Sequence, residues 1–350
     1  SSPWTLDYMR KLHLLSTLLL AIFTGGISYA QDFSNKGKDF WVGYGYHQIM
    51  SGTNLQDMVL YFAADQNTNV TVTIPGIGYA QNYFVAANTV LTSSPIPKTG
   101  LQDARLLTES TIPEKKGIHI TSDKPIVAYA HIYNQSVSGA TILFPTTTLG
   151  KEDFSVNYTN ISNSPNSNCW FYVVAADTGT TTVEITPSAA TINRPAGIPF
   201  LVTLQQGEIY NIMGQVSGNT GVDLTGSKIQ SINTGAGCKR IGVFSGSGRI
   251  SITCNGISSS SDSYMVQAFP KSAWGKKYLT ASASGGMDNN IYRVCVTDPS
   301  TIVTVNGAPI AVPLQNGFYY ELPITPSPMK IEANNPILVA QYFTSTQGNT

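Results

Sequence analysis

The chain has 350 residues, of which 42% are hydrophobic and 11% are charged, and its 20 basic residues balance its 20 acidic ones. Soluble domains average about 25% charged residues, so the polar surface here must come mainly from uncharged side chains. The balanced charge argues against nucleic acid or anionic lipid as the main partner, because both require a clustered basic surface. The length allows two or three domains.

The N-terminal residues predict export from the cell. Residues 1–8 precede the first methionine, Met9, and are interpreted as an upstream extension. Residues 9–30 begin with basic residues, continue with an apolar stretch and end in small residues, which is the pattern of a signal peptide cleaved near Ala30. The alternative is an uncleaved N-terminal anchor. No membrane span is expected in the mature chain, which is predicted to be secreted or displayed on the outer cell surface.

A glycine–lysine pair that opens an extended segment occurs three times along the chain. Recurrence at a similar spacing indicates an internal repeat, and glycine before an aromatic-rich run is typical of a turn that leads into a strand. In each copy an aspartate then separates a long apolar strand from an alternating one. The marker residues are Gly37, Lys38, Trp41 and Asp65, then Gly150, Lys151 and Asp177, then Gly275, Lys276 and Asp298.

These markers predict three β units. The first spans residues 31–145, the second 146–270 and the third 271–350. The third unit is interpreted as incomplete, so we expect the chain to be a fragment of a longer protein. Within the first unit, residues 117–121 and 126–133 are predicted to be separate strands joined by a turn at 123–125.

The predicted fold class is all-β, with three tandem homologous repeats that each form an antiparallel, sandwich-like unit. Turn signals recur about every 8–12 residues, as in β-sandwiches. No segment shows the 3.6-residue apolar period of a capped amphipathic helix. The alternative is a six-bladed, propeller-like arrangement in which each unit supplies two blades, because short alternating strands suit both architectures.

Four cysteines occur in the chain, and none forms a Cys-x-x-Cys pair, so a zinc ribbon or redox motif is not indicated. An oxidising compartment permits one or two disulfides. Cys238 and Cys254 flank the strand at 241–244 and are a possible disulfide across a hairpin. The alternative is that all four cysteines, including Cys169 and Cys295, are small buried thiols.

No combination of residues predicts catalysis or a cofactor. His119 and His131 are expected on neighbouring strands, but a metal site there lacks a third ligand, so packed or surface histidines are preferred. The same holds for His47. One aspartate at the same turn of each unit is interpreted as a turn carboxylate rather than an acid/base group. The lysines that follow the marker glycines are expected to be solvated, with pairing to a carboxylate of the adjacent unit as the alternative.

Aromatic side chains are the most suggestive feature for binding. Alternate ones must lie in the core, and Trp41 with Phe40 is expected to anchor a sheet. Exposed tyrosines on a rigid sheet would form a binding surface at low entropic cost. The residues concerned are Trp41, Tyr44, Tyr46, Tyr61, Tyr129, Tyr133, Trp274, Tyr319, Tyr320 and Tyr342.

An ordered series of short motifs carries a family resemblance. The motifs lie at residues 37–42, 64–74, 122–127, 176–185, 207–210, 223–229 and 274–278. Their types are Gly-Lys-x-Phe-Trp-Val, a strand pair around Ala-x-Asp, Ser-Asp-Lys-Pro-Ile-Val, Gly-x-x-Tyr, Asp-Leu-Thr-Gly-Ser-x-Ile and Trp-Gly-Lys-x-Tyr.

The series resembles the N-terminal domain family of IgGFc-binding protein, over about residues 35–346. The resemblance implies an extracellular, multi-domain, adhesive protein, and in Bacteroidota-type bacterial members further C-terminal domains follow. Family members often carry Cys-Asp-His before the Trp-Gly-Lys motif. This chain has Ser261-Asp262-Ser263 there, which leaves Cys254 without the partner that the resemblance implies.

The predicted function is a secreted or cell-surface recognition and adhesion module, not an enzyme, that binds an extracellular protein or glycan. One alternative is a structural spacer within a large surface protein. A polysaccharide-acting hydrolase is the least favoured alternative.

The export prediction has a direct test. Mass spectrometry of the protein recovered from the culture medium or cell surface should find Gln31 as the mature N-terminus. An intact N-terminus at Met9 would contradict cleavage.

Overall fold

Strands and connecting loops make up almost all of the structure, which is a computed structural model. It describes residues 34–235, 237–252, 260–282 and 290–343, and all of these belong to one compact unit, Phe33–Thr350. The prediction of an all-β chain is confirmed. No helix in the described ranges is long and apolar enough to cross a membrane. The helical elements there are short 3-10 turns at Gln48–Ser51, Pro75–Ile77, Gly100–Gln102 and Lys271–Ala273.

The first strand group, residues 34–145, is one seven-stranded antiparallel sheet built around a single long strand. Its strands are β1 (Lys36–Val42), β2 (Asp57–Ala64), β3 (Thr68–Ile74), β4 (Tyr79–Val85), β5 (Thr89–Thr92), β6 (Ile118–Tyr133) and β7 (Ser138–Ile142). The first half of β6 pairs with β1 and β3, and its second half pairs with β2 and β7.

The continuity of β6 differs from the prediction of two strands separated by a turn. The residues of the predicted turn, 123–125, lie inside the strand at an irregularity of its pairing with β1. Two hydrogen bonds of Lys124 stabilise this irregularity. The Lys124 amide donates to Thr68 Oγ1 at 2.9 Å, and Ser122 Oγ donates to the Lys124 carbonyl at 2.7 Å. A local bulge therefore accommodates Pro125 without ending the strand.

In the second strand group, residues 146–270, two separate strands make the pairings that β6 makes alone in the first group. One four-stranded sheet has β17 (Ile241–Ile250) beside β10 (Cys169–Ala175) and β18 (Asp262–Gln267), and the other has β16 (Lys228–Ile232) beside β11 (Thr181–Thr186) and β8 (Glu152–Phe154). The strands are β8 (Glu152–Phe154), β9 (Asn160–Ile161), β10 (Cys169–Ala175), β11 (Thr181–Thr186), β12 (Phe200–Leu204), β13 (Ile209–Met213), β14 (Val216–Ser217), β15 (Thr220–Gly221), β16 (Lys228–Ile232), β17 (Ile241–Ile250) and β18 (Asp262–Gln267).

The third strand group, residues 271–343, is again one sheet with a long strand in it. Its strands are β19 (Gly275–Leu279), β20 (Asn290–Val296), β21 (Val303–Val305), β22 (Ala308–Pro309), β23 (Leu314–Gln315), β24 (Tyr319–Glu321) and β25 (Lys330–Phe343). The first half of β25 pairs with β19 and β21, and its second half pairs with β20.

The strand orders do not fit the alternative of a propeller. A propeller blade is a small four-stranded sheet arranged around a central channel, and its strands follow one another in the chain. The two four-stranded sheets of the described residues have the orders β13-β10-β17-β18 and β12-β11-β16-β8 instead. They pack face to face, with Phe171 and Val173 of one sheet in a common cluster with Val183 and Ile185 of the other. The two sheets therefore share one hydrophobic core.

Two strands are buried on both faces and join the groups. All seven residues of β10 are buried, and so are all seven of β20. In β10, Phe171 and Val173 face the second group's own core, whereas Trp170 and Tyr172 belong to the core of the first group. Such double-sided burial is typical of a strand in the middle of a layered structure. The three groups therefore stack through shared cores.

A glycine–proline contact marks the start of the first and second groups. A Cβ atom added to Gly37 would lie 2.3 Å from Pro145 Cβ, and one added to Gly150 would lie 2.5 Å from Pro270 Cβ. Real Cβ atoms do not approach so closely, and a proline ring has little freedom to move away. Both glycines are therefore required by close approach rather than by backbone angle.

This contact predicts a matched set of stability changes. Gly37→Ala and Gly150→Ala should each lower the free energy of unfolding by about 1–3 kcal/mol, because overpacking forces a shift of the backbone. Gly275→Ala is the control, since its added Cβ would meet nothing closer than 3.4 Å. Urea denaturation of the three variants measures the difference. Equal stability of all three would contradict the packing argument.

Candidate functional site

Among the marker residues predicted from the sequence, Trp41 serves packing. Trp41 is buried, and its ring stacks on His119 with centroids 3.9 Å apart. Phe40 beside it is fully buried, as expected of a sheet anchor. The three lysines Lys38, Lys151 and Lys276 are exposed, and Lys276 Nζ donates to the Asn334 carbonyl at 2.8 Å.

The three aspartates at the equivalent turn have different partners. Asp65 forms an ion pair with Lys36 of β1. Asp177 accepts from both the backbone and the guanidinium of Arg240, at 2.7 and 2.9 Å. Asp298 accepts from the Ser300 amide at 2.8 Å, as a turn aspartate does. Each carboxylate therefore bonds to a partner within its own strand group.

Two of the four cysteines are buried free thiols, Cys169 and Cys295. Burial raises the pKa of both thiols, that of Cys295 to about 12, so neither is a reactive thiolate. Cys238 is half-buried, and Cys254 lies outside the described residues. The disulfide between these two stays a prediction.

The prediction that His119 and His131 lie on neighbouring strands is wrong, because both lie on β6. The strand is continuous where a turn was expected, so the two rings lie in its opposite halves. His119 Nε2 contacts the Asp39 carboxylate at 3.0 Å, whereas His131 Nδ1 lies 3.1 Å from the Tyr61 hydroxyl. The two histidines are therefore not ligands of one site.

An exposed aromatic surface lies on the outer side of β2 and β6. We call it the Tyr–His face, and it consists of Tyr61, Tyr129, His131 and Tyr133. Tyr129 is 38% exposed, and the rings of His131 and Tyr133 stack with centroids 4.6 Å apart. Burial lowers the pKa of His131, with Asp262 acting in the opposite direction. Of the ten aromatics considered from the sequence, Trp41, Tyr44, Tyr46, Trp274, Tyr319 and Tyr342 are buried instead.

The corresponding face of the second group is covered by the first group. Tyr172 Oη accepts from the Gly43 amide at 2.8 Å and donates to its carbonyl, 3.1 Å away. A Cβ on Gly43 would lie 2.8 Å from Ile209, and one on Gly45 would lie 2.6 Å from Trp170. The segment after β1 therefore lies directly on the sheet of β10.

The third group is attached to the second by a buried arginine. Arg293 of β20 is 1% exposed and bonds Asp223 at 2.7 Å, Glu321 at 2.9 Å and the Asn157 carbonyl at 3.1 Å. Burial alone would lower its pKa, but the charge of Asp223 raises it well above the usual value, so the guanidinium stays charged. The Asp-Leu-Thr-Gly motif at 223–226 thus supplies an anion for the next group.

A groove with a volume of about 560 Å³ lies between the second and third groups. We call it the β18–β25 groove, after the strands that form its two walls. Its lining is mostly apolar. Tyr264, Val266 and Phe269 line one wall, Leu338, Ala340 and Tyr342 line the other, and Val156 contributes between them. Phe269 and Phe343 at its margins are 46% and 51% exposed.

An open apolar groove of this size has the properties of a ligand site. Its described lining contains a single carboxylate, Asp262, and no histidine or cysteine. The described lining of the groove therefore offers mainly shape and apolar contact.

Sequence reasoning missed the groove because residues of its two walls, such as Ala268 and Leu338, lie far apart in the chain. A second missed signal was local. Phe-Pro followed by four residues and Gly-Lys occurs at 144–151 and again at 269–276, and it contains the proline that contacts the marker glycine in the first two groups.

An open apolar groove and an exposed aromatic face on an all-β chain are features of the class of binding proteins. The chain belongs to the IgGFc binding protein family, whose model matches residues 139–350. The resemblance predicted from the motifs is thereby confirmed. No curated protein and no solved structure matches the chain.

The matched range separates the two candidate surfaces. Every residue that lines the β18–β25 groove lies within 139–350. Every residue of the Tyr–His face lies before 139. The groove is therefore the stronger candidate for a site that the family shares.

His47 predicts a pH effect on stability. It is fully buried, its Nδ1 accepts from the Ile49 amide and its Nε2 donates to the Val137 carbonyl. Burial lowers its pKa to about 4. The unfolded chain takes up the proton first, so stability should fall as pH drops from 6.5 to 4, by about 3 kcal/mol.

Denaturation at several pH values measures this change. His47→Gln lacks the titrating group and should lose the corresponding part of the pH dependence. An NMR titration that places His47 near pH 6.5 in the folded protein would contradict the argument.

Proposed function

We propose that the chain is a non-catalytic recognition module, secreted or displayed on the outer cell surface, that binds an extracellular protein through the β18–β25 groove. The observation that carries the proposal is the position of this groove wholly within the range of the family match. The family is one of binding proteins, and the apolar lining suits a polypeptide with apolar side chains.

We also propose that the chain consists of three tandem repeats, spanning 31–145, 146–270 and 271–350. The recurrence of the strand pairings supports this. In each group the opening strand, β1, β8 or β19, pairs with the strand that also pairs with β3, β11 or β21. The strand before each marker aspartate, β2, β10 or β20, pairs with the continuation of that partner.

The cellular location is also part of the proposal. Residues 9–30 lie outside the described residues, and their sequence pattern supports export. A signal peptide at these residues is consistent with an adhesive protein of a Bacteroidota-type bacterium.

Glycan recognition is the second candidate, and the Tyr–His face favours it. Rings that are rigidly held, partly exposed and equipped with a polar group suit the alternating apolar and hydroxyl surface of a sugar. Hydrolysis has less support, because glycosidases use two carboxyl groups about 5–9.5 Å apart across the bond. The described lining of the groove supplies only Asp262.

Binding of the full chain to immunoglobulin Fc, mucin and a glycan array tests the proposal. A protein ligand should bind, and Val266→Arg should weaken it at least about tenfold by placing a charge in the apolar wall. Tyr129→Ser is the matched control on the Tyr–His face and should leave protein binding unchanged. If a ligand, whether glycan or protein, loses affinity only with Tyr129→Ser, the binding site is the Tyr–His face instead of the groove. Absence of any ligand would favour a structural spacer.

A further inference from the structure

A second pocket, with a volume of about 480 Å³, lies between the first and second groups, and we call it the junction pocket. Its floor consists of the buried residues Tyr46, Asn168 and Met213. Exposed residues of separate loops form the rim, among them Leu107 of the first group and Ile192 of the second. The volume lies within the range of about 300–1,000 Å³ that is typical of small-molecule sites.

Hydrogen bonds between the two groups hold the walls of the junction pocket in place. The buried Glu109 carboxylate accepts from Thr191 Oγ1 at 2.9 Å and from the Asn193 amide at 3.2 Å, so it joins the rim loop of the first group to that of the second. On the opposite side, Tyr46 Oη donates to the Asn166 carbonyl at 2.7 Å. Walls that are fixed in this way need little reordering when a ligand binds.

The described lining of the junction pocket is uncharged. Glu109 lies close to the rim in the chain, but both of its carboxylate oxygens bond to the opposite wall. Amides and hydroxyls can both donate and accept hydrogen bonds, so such a lining suits a neutral ligand that carries several hydroxyl or amide groups. The polar residues of the lining are Tyr46, Ser51, Thr108, Asn166, Asn168 and Gln215.

The floor combines an open hydrogen-bond acceptor with an apolar side chain. Asn168 is 6% exposed, and its Nδ2 donates to the Gly214 carbonyl at 2.8 Å, which fixes the orientation of the amide. Asn168 Oδ1 accepts no hydrogen bond from the described residues, and Met213 supplies the apolar contact. An acceptor that is largely withdrawn from solvent favours a ligand that brings a donor to it. The N-acetamido group of a sugar carries both an N–H donor and a methyl group.

A peptide matches the junction pocket less well than a sugar does. Peptide sites use an open strand edge, a long apolar or aromatic groove, or a cluster of arginines. The strand at the margin of the pocket, β14, has only two residues. The described lining contains no arginine, and Tyr46 is its one aromatic residue.

We propose that the junction pocket binds a neutral saccharide that contains an N-acetylhexosamine unit. Asn168 Oδ1 accepts from the acetamido N–H, Met213 contacts the acetamido methyl group, and the amides and hydroxyls of the rim bond to the ring hydroxyls. The pocket shares no residue with the β18–β25 groove, so it adds a second class of ligand to the protein proposed for the groove. Either site can bind its ligand without the other.

Titration of the full chain with two matched pairs of sugars tests the proposal. The pairs are N-acetylglucosamine with glucose and N-acetylgalactosamine with galactose, and the members of a pair differ only in an acetamido group that replaces a hydroxyl. Saturation-transfer difference NMR should show saturable binding of at least one acetamido sugar. The Kd of its hydroxyl counterpart should be at least about tenfold higher, because the N–H donor and the methyl contact are both lost.

Two leucines of one loop provide a matched pair of variants. Leu107→Arg should raise the Kd of the acetamido sugar at least about tenfold, because it replaces an apolar contact at the rim by a long charged side chain. Leu101→Arg is the control, since Leu101 is almost fully exposed and is not part of the described lining. It should change the Kd by less than about twofold, as surface substitutions usually do.

Asn168→Ala tests the acceptor of the floor. This variant should lose the preference for the acetamido sugar over its hydroxyl counterpart, whereas a merely structural role of Asn168 would weaken both sugars equally. Urea denaturation shows whether the variant is folded, and if it is not, the two leucine variants decide.

Several results would overturn the saccharide site. Equal Kd values within both pairs of sugars would show that the acetamido group is not recognised, and absence of saturable binding by both acetamido sugars would exclude the site. Sugar binding that is lost with Val266→Arg but kept with Leu107→Arg would place the sugar in the β18–β25 groove. A protein ligand that is lost with Leu107→Arg would assign the junction pocket to a protein partner. The proposed function fails separately, if Val266→Arg leaves the binding of a protein ligand unchanged.

Discussion

The structure depends on one contact, in which a polar side chain from the middle of a strand reaches the main chain of the preceding group. In the second group this side chain is Tyr172, which holds Gly43 by both its amide and its carbonyl. In the third group it is Arg293, which reaches the Asn157 carbonyl. Tyr172 and Arg293 hold the same position, because each pairs with the residue three after Ile241 or Ile337. Buried main-chain groups that lack a ladder partner need such bonds, so the contact fixes how the groups stack.

The two versions of the contact differ in their energetics. Tyr172 is surrounded by Trp170 and Phe244, with ring centroids 5.6 and 4.9 Å away, so apolar burial supports the first junction. At the second junction Arg293 lies between the rings of Tyr158 and Tyr319, 4.2 and 4.3 Å from their centroids. Removing a charged group from water costs roughly several kcal/mol. This cost is offset only when ion pairs and hydrogen bonds of good geometry surround the group. The junction between the second and third groups therefore tolerates little change in Asp223 or Glu321.

Much of the fold could be predicted from the sequence because its signals are local. The alternation at 70–74 and the runs before the three aspartates identify strands whichever partner they find. The turn at 123–125 was predicted wrongly because proline and aspartate are local breakers, whereas one of the two bonds that keep β6 continuous comes from Thr68, more than fifty residues earlier. The sequence indicated a set of aromatic residues that includes the exposed tyrosines, but it did not indicate which members of the set are exposed. Whether a given ring is buried depends on which group lies on it, and nothing near Tyr61 in the sequence distinguishes it from Tyr172.

Stacking of similar groups leaves one unmatched surface of each kind. The first group has its Tyr–His face, and Tyr61 there pairs with the residue three after Ile126, the position held by Tyr172 and Arg293 in the groups behind it. The third group has the edge of β25, where the first and second groups have β7 and β18. Residues between two strand groups use their polar and apolar side chains for contacts with the neighbouring strand group of the same chain. The Tyr–His face and the edge of β25 are the two surfaces of this kind that have no such neighbour among the described residues. The matched range of the family includes only the second of them.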